Sequence, residues 1–294
     1  MCEGVKMNIG LLLSAIIDGL TYAAIIYLIA AGLVIIFGLM DILNFAQSAF
    51  FMLGAFLTIS FLYTLTENFI LAVLITTIIG FAIGLLIEIV LLRKTYGNPA
   101  SQMLITLGIM MVIIQLAIVL WPMGLVFPLR DPIFVGVIKI YDTSIYVYKF
   151  ILIAIGFSIF LILHSILNKT LMGAKLRAGI ENRELAEIFG LNIKRTFTLA
   201  FGTGTAIAFF GGAIASPLLN ANVEIGSSFA LLAFAVIIIG GMKSHTGAFV
   251  ASLVVGLIHQ LSAYFFPALT FVIDIALMIL ALLFKPEGLF GFEE

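Results

Sequence analysis

Charge is the scarcest property of this 294-residue sequence. Asp, Glu, Lys and Arg together supply 10% of it, against about 25% in an average soluble domain. That leaves too little polarity to clothe a water-facing globule. There is one cysteine, Cys2, which excludes an internal disulfide and a thiolate metal cluster. The histidines, His164, His245 and His259, are scattered and show no ligand spacing, so no metal site is expected. A net charge of −1 offers no basic field for nucleic acid. The chain also lacks G-x-x-x-x-G-K-[ST], H-E-x-x-H, G-x-S-x-G and G-x-G-x-x-G. No catalytic residue is assigned, an enzyme is not expected, and any energy from ATP has to enter through another subunit.

What is abundant is apolar surface. Hydrophobic residues make up 63% and mean hydropathy is +1.29, the signature of a chain that lives in lipid. The apolar runs are long and continuous, as over 69–92, which excludes the alternating strands of a membrane barrel. A spanning helix needs about 20 mostly apolar residues. Segments 11–38, 41–63, 69–92, 102–121, 147–167, 196–219, 228–242, 246–266 and 268–284 fit. The expectation is an all-α polytopic bundle of eight to nine transmembrane helices, forming one domain over 1–294. Segment 228–242 is short enough to be re-entrant, and 41–63 opens with polar residues like a broken helix.

One stretch interrupts the hydrophobicity. Residues 168–195 carry Lys169, Lys175, Arg177, Arg183, Lys194 and Arg195. Short basic loops stay on the cytoplasmic side, so this loop faces inward. The 93–100 loop, with Arg93 and Lys94, follows it inside, and the proline-bearing loop 122–146 lies outside. Nine crossings place the N-terminus outside and eight place it inside. Within the basic loop, Asn182 is a helix N-cap, Gly190 a stop, and Leu185, Ile188 and Phe189 share one face. Such a helix docks in a groove on a cytoplasmic partner or lies on the membrane surface.

Small residues recur at i, i+4 as Ala200, Gly204, Ala208, Gly212 and Ser216, again as Ala248, Ser252 and Gly256, and as Gly80 with Gly84. In lipid such ladders let helices pack closely. Polar groups inside spans are costly and tend to face a partner or a water-filled path. They are Asp18, Glu88, Asp274, His259, Gln115 and the cluster Asp41, Asn44, Gln47 and Ser48. Glu88 has Arg93 five positions on, which suggests snorkelling or a local ion pair. For 41–48 the plain alternative to a pathway is helix-end capping.

These features come in an order that resembles a known family, the LivH-type permease subunits of ATP-binding-cassette importers for branched-chain amino acids. IIYLIAAGLVIIFG resembles the opening helix through Ala30, Gly32, Leu33 and Gly38. NFAQSAFFMLGAF resembles the N-F-A-[HQ]-G block at Asn44, Phe45, Ala46 and Gln47, with Ser48 in place of Gly. LITLGIMMVIIQLA resembles a third block at Thr106, Gly108 and Gln115. In the basic loop Gly173, Arg177, Ala178, Asn182, Ala186, Gly190 and Asn192 match. GGMKSHTGA resembles a further block, with Lys243 replacing a Gly. LLFKPEGLFG resembles the closing pattern.

The resemblance implies a passive half-channel in a prokaryotic cytoplasmic membrane. Its implied partners are two cytoplasmic ATPases holding ATP and Mg, a second identical or homologous permease, and an extracytoplasmic binding protein. Arg177, Asn182, Leu185, Ala186, Ile188, Phe189 and Gly190 would contact the ATPase. Asn44, Gln47, Ser48 and Gln115 would line the translocation pathway. Alternatives are urea, short amides or sugars as substrate, an ion-coupled secondary transporter, and a membrane-embedded enzyme. The ion-coupled case needs a coupling carboxylate such as Asp18, Asp274 or Glu88.

Overall fold

A computed structural model describes residues 9–128, 132–140, 143–170, 192–284 and 288–290. Its helices are α1 (Ile9–Met40), α2 (Gln47–Thr64), α3 (Phe69–Val90), α4 (Pro99–Leu120), a single turn α5 (Pro132–Val135), α6 (Val147–Lys169), α7 (Ile193–Leu219), α8 (Glu224–Gly240), α9 (His245–Phe265) and α10 (Thr270–Phe284). A hairpin of β1 (Val137–Ile140) and β2 (Thr143–Tyr146) pairs Val137 with Tyr146 and Ile140 with Thr143. The protein is an all-α polytopic membrane protein. Among the described residues seven helices are long and apolar enough to cross a membrane, and α8 and α10 are shorter apolar helices.

Helix starts are set by short polar side chains. Asn68, Asn98, Asn192 and Ser244 each accept a hydrogen bond from the backbone N–H three residues on, capping α3, α4, α7 and α9. Near the end of α7, Pro217 has no N–H to give the Ala213 carbonyl. The Ser216 hydroxyl donates to that carbonyl instead, at 2.8 Å, which keeps a backbone acceptor satisfied in an apolar setting.

Contacts between loops sort the helix ends into two groups. At one end Asp41 meets Lys243 at 3.0 Å, Arg93 meets Thr198, and the Leu289 N–H donates to the Ile239 carbonyl. At the other end Leu125 pairs with Ala221, Phe127 with Asn220, and Thr143 with Gly10. Arg93, Lys94, Lys169, Lys194, Arg195 and Lys243 lie at the first end, and Lys139 and Lys149 at the second. The first end is therefore the inner one by the basic-residue rule. Helix α1 starts at the outer end, and α8 runs from the outer end to the inner one. A 17-residue helix is about 25 Å long, close to the ~30 Å hydrocarbon thickness. So α8 runs from one end of the bundle to the other. The break expected in 41–63 falls at 41–46, non-helical backbone between α1 and α2, with Asp41 at a positive φ of 52°.

Helix α1 is the core, enclosed by α9, α7, α6 and α8. The small-residue ladders are packing faces between the helices, on α1 and on its neighbours. A Cβ on Gly212 would lie 1.8 Å from the Phe51 carbonyl oxygen of α2, and one on Gly256 would lie 2.6 Å from the Ala23 backbone of α1. These backbones touch because no side chain separates them. In contrast α3, α4 and α6 keep one flank exposed, through Ile78, Val119 and Leu161 among others.

Candidate functional site

The polar cluster after α1 is an enclosed junction. Asn44, Gln47 and Ser48 are all buried, Asn44 completely. The Asn44 side-chain oxygen accepts from the Ala46 N–H at 3.2 Å, an Asx turn that folds the linker toward α2. The N-cap residue of α2 is Ala46, which makes no side-chain cap bond, so simple capping does not account for the cluster. The Asn44 amide donates to Gln47 Oε1 at 3.1 Å, and Gln47 Nε2 donates to the Gly204 carbonyl of α7 at 2.9 Å.

Gln47 reaches that carbonyl because α1 and α7 cross at glycines. A Cβ on Gly32 would sit 2.1 Å from Gln47 Nε2 and 2.4 Å from the Gly204 oxygen. Thr106 of α4 closes the fourth side, accepting from the Phe45 N–H at 3.3 Å and donating to the Met103 carbonyl at 3.0 Å. Four helices thus meet around two amides. Gln115 is not among them. It lies on the exposed face of α4, nine residues beyond Thr106, or about 13 Å along the helix axis.

The three carboxylates in the spans each have a partner. Glu88, fully buried, pairs with Arg93 at 3.1 Å, accepts from the Thr198 hydroxyl at 2.6 Å and accepts from the Tyr96 hydroxyl. The local ion pair expected from the five-residue spacing is present, and the carboxylate does not snorkel. Asp18 pairs with Lys149 and accepts from the Tyr264 hydroxyl at 2.8 Å, joining α1, α6 and α9 at the outer end. Asp274 meets His259 at 2.8 Å, with the Tyr22 ring stacked on that imidazole at 4.5 Å.

Beside the Glu88 carboxylate, on the loop after α3, two groups are shifted. The hydrogen bond to Glu88 holds the Arg93 guanidinium above its ordinary range. Burial first, and then the bond to Glu88, push the Tyr96 phenol up. Among the described residues no group of three His, Cys, Asp or Glu converges as a metal site.

A half-open crevice of about 270 Å³ lies between α1, α6 and α9, lined by Ala23, Gly156, Phe157 and Phe249 among others. Its lining is hydrocarbon, and the Ser252 hydroxyl there donates to the Phe249 carbonyl at 2.7 Å. That surface suits an aliphatic chain and not an ammonium or carboxylate group.

The predicted ATPase contacts Arg177, Asn182, Leu185, Ala186, Ile188, Phe189 and Gly190 fall outside the described residues. What is described is the exit from that loop. Asn192 caps α7, and Lys194 and Arg195 stand exposed on its first turn.

Comparison with known proteins adds a match over residues 15–282 to the family described as branched-chain amino acid transport system / permease component. The chain belongs to that family. Among similar proteins is the high-affinity branched-chain amino acid transport system permease protein LivH of Salmonella typhimurium, 26% identical over 300 residues and 96% of each chain. The corresponding BraD protein of Pseudomonas aeruginosa is 27% identical, again over 96% of each chain. A probable LivH of Methanocaldococcus jannaschii is 24% identical over 95% of this chain and 92% of its own. No solved structure matches the chain. Family membership accounts for the whole bundle, since the match opens inside α1 and closes inside α10.

Proposed function

We propose that this chain is the permease subunit of an ATP-binding-cassette importer that carries branched-chain amino acids across a prokaryotic cytoplasmic membrane by alternating access. The observation that carries this reading is the family match across nearly the entire bundle, together with relatives named as branched-chain amino acid permeases. The chain is a conduit and not an enzyme. Two cytoplasmic ATPases hold ATP and Mg, a second permease completes the pathway, and an extracytoplasmic binding protein delivers the solute. Residues Arg177, Asn182, Leu185, Ala186, Ile188, Phe189 and Gly190 form the ATPase contact.

Alternating access needs two packings of similar free energy. Backbone-to-backbone helix contacts at Gly204, Gly212 and Gly256 suit that demand, because small residues offer no interlocking side chains to disengage. The pairing of Glu88, Asp18 and Asp274 speaks against an ion-coupled carrier, which needs a carboxylate released to bind the coupling ion.

For Asn44, Gln47 and Ser48 the geometry favours a second reading over pathway lining. All three are buried, and the hydrogen bonds of Asn44 and Gln47 make a latch between α1, α2, α4 and α7, beside which the buried Ser48 hydroxyl has no partner among the described residues. Gln115, on the exposed flank of α4, is left as the pathway or subunit-contact candidate of the four.

The test is reconstitution of the chain with its ATPase and second permease in liposomes, with binding protein and labelled leucine outside. Uptake that requires ATP is expected. Changing Leu185, Ile188 or Phe189 to Glu leaves the protein folded and stops uptake. Uptake driven by an ion gradient without the ATPase would overturn the proposal, and so would preference for urea, an amide or a sugar over leucine, isoleucine and valine.

A further inference from the structure

We propose that Glu88, Arg93, Tyr96 and Thr198 form a joint that makes α3 and α7 one rigid arm, so that displacement of the basic segment 168–195 reaches α3 through α7. The inference rests on the transport reading above and adds the route by which the inner loop moves the bundle.

Thr198 lies in the second turn of α7, the helix into which the basic segment leads. Its hydroxyl donates to Glu88 at 2.6 Å, 110 positions away in the sequence. Arg93 bonds both sides of the contact, to Glu88 at 3.1 Å and to Thr198 at 2.7 Å. Tyr96 donates to the same carboxylate, and its ring meets the Phe197 ring edge-on at 5.3 Å. The carboxylate is fully buried, so withdrawing it from these donors without water to replace them is costly.

Above the joint the two helices are in close register. A Cβ on Gly84 would lie 2.9 Å from the Gly202 Cα and 2.8 Å from the Thr205 Cβ, and one on Gly80 would lie 2.4 Å from the Phe209 ring. Glycine contacts alone permit sliding. The joint resists it, because an axial slip of two residues, about 3 Å, stretches the 2.6 Å contact of the Thr198 hydroxyl with Glu88 to about 4 Å, beyond hydrogen-bond range. The opposite flank of α3 is exposed at Ile70, Leu74, Ile78 and Leu86, so α7 is its principal hold in this chain.

The experiment uses the complete reconstituted transporter with Cys2→Ser as the parent and the pair Glu88→Cys/Thr198→Cys introduced together. Reduced, the pair uncouples: uptake per ATP hydrolysed falls about tenfold. Bridging the two thiols with a short cross-linker restores it, because the arm is whole again. Thr198→Val, which keeps the Glu88–Arg93 ion pair and removes the hydroxyl's bonds to Glu88, to Arg93 and to the Lys194 carbonyl, also lowers uptake per ATP while the protein still unfolds cooperatively in detergent. The joint is overturned if bridging abolishes uptake, because α3 and α7 then have to part during the cycle. It is equally overturned if Thr198→Val couples as well as the parent. A parent that shows no ATP-driven uptake overturns the transport reading along with the joint, whereas an active parent with fully coupled variants overturns the joint alone.

Discussion

Gln47 and Gln115 look alike in the sequence, each an amide in an apolar helix, and the structure gives them opposite weights. Gln47→Ala removes the bond to the Gly204 carbonyl and the bond from Asn44. At about 0.5–1.5 kcal/mol net for each, that is about 1–3 kcal/mol. The Asn44 amide hydrogen is then stranded at a completely buried position, which adds about 1–3 kcal/mol. The Gly204 carbonyl lies inside α7 and keeps its helical partner, so it adds nothing. The expected loss is about 2–6 kcal/mol, enough to show as a lower denaturant midpoint in detergent. Gln115→Ala, on an exposed face, changes stability by no more than about 0.5 kcal/mol. Gln47→Met, close in volume but without the amide, separates the hydrogen bonds from the cavity and retains most of the loss. If Gln47→Ala unfolds at the wild-type midpoint while uptake collapses, the latch is wrong and the side chain lines the path.

Two further outcomes follow from the packing and the inner joint. Gly212→Leu forces side-chain atoms into the Phe51 backbone, where even a Cβ has 1.8 Å. It destabilises by about 3 kcal/mol or more, and wild-type thermal stability in detergent would dismiss the α2–α7 contact. The Tyr96 phenol is raised from its ordinary value of 10.0, so the folded state retains a proton that the unfolded state releases. Its contribution is therefore complete below pH 10 and is lost as pH rises through the folded value. Tyr96→Phe shows a shallower fall in stability above pH 10, and identical pH profiles would contradict the assigned bond to Glu88.

The helices were legible because lipid imposes length and continuity on each span. The ladder Ala200, Gly204, Ala208, Gly212 and Ser216 was legible because only small residues let backbones touch without the aid of water. Glu88 with Arg93 was legible from spacing alone, since five residues place both ends of the pair at one helix terminus. Thr198 was not, and neither were Lys149 and Tyr264 as partners of Asp18. Those contacts depend on which helices are neighbours, and hydropathy assigns crossings without assigning neighbours. Length alone left α8 undecided. Its course became clear only from its ends, docked at opposite sides of the bundle. Apolar runs alone place the starts of α3, α4 and α7 within a turn, and the asparagines at 68, 98 and 192 that fix those starts enter only with the structure.

The distribution of polar bonds argues for how such a bundle moves. Bonds that cross between helices gather toward the ends: Asp18 with Lys149 and Tyr264 outside, Glu88 with Thr198 and Asp41 with Lys243 inside. Between them the contacts are mostly apolar, with glycines where backbones meet. Directional bonds fix distance and angle, whereas apolar contacts in lipid are nearly indifferent to small sliding. Helices sharing an end bond therefore travel together, and those joined only by glycine faces are free to shift against one another. On that basis α3 moves with α7, and α6 with α1 and α9, with the Tyr148 hydroxyl on the Ile214 carbonyl as a single outer bond from α6 to α7. The crossing of Gly32 with Gly204 is where the groups would part, and two bonds hold them together, Gln47 of α2 to the Gly204 carbonyl at 2.9 Å and the Tyr148 hydroxyl of α6 to the Ile214 carbonyl of α7 at 2.6 Å. A latch of one or two hydrogen bonds is weak enough for a partner's binding energy to open and strong enough to keep one packing dominant at rest.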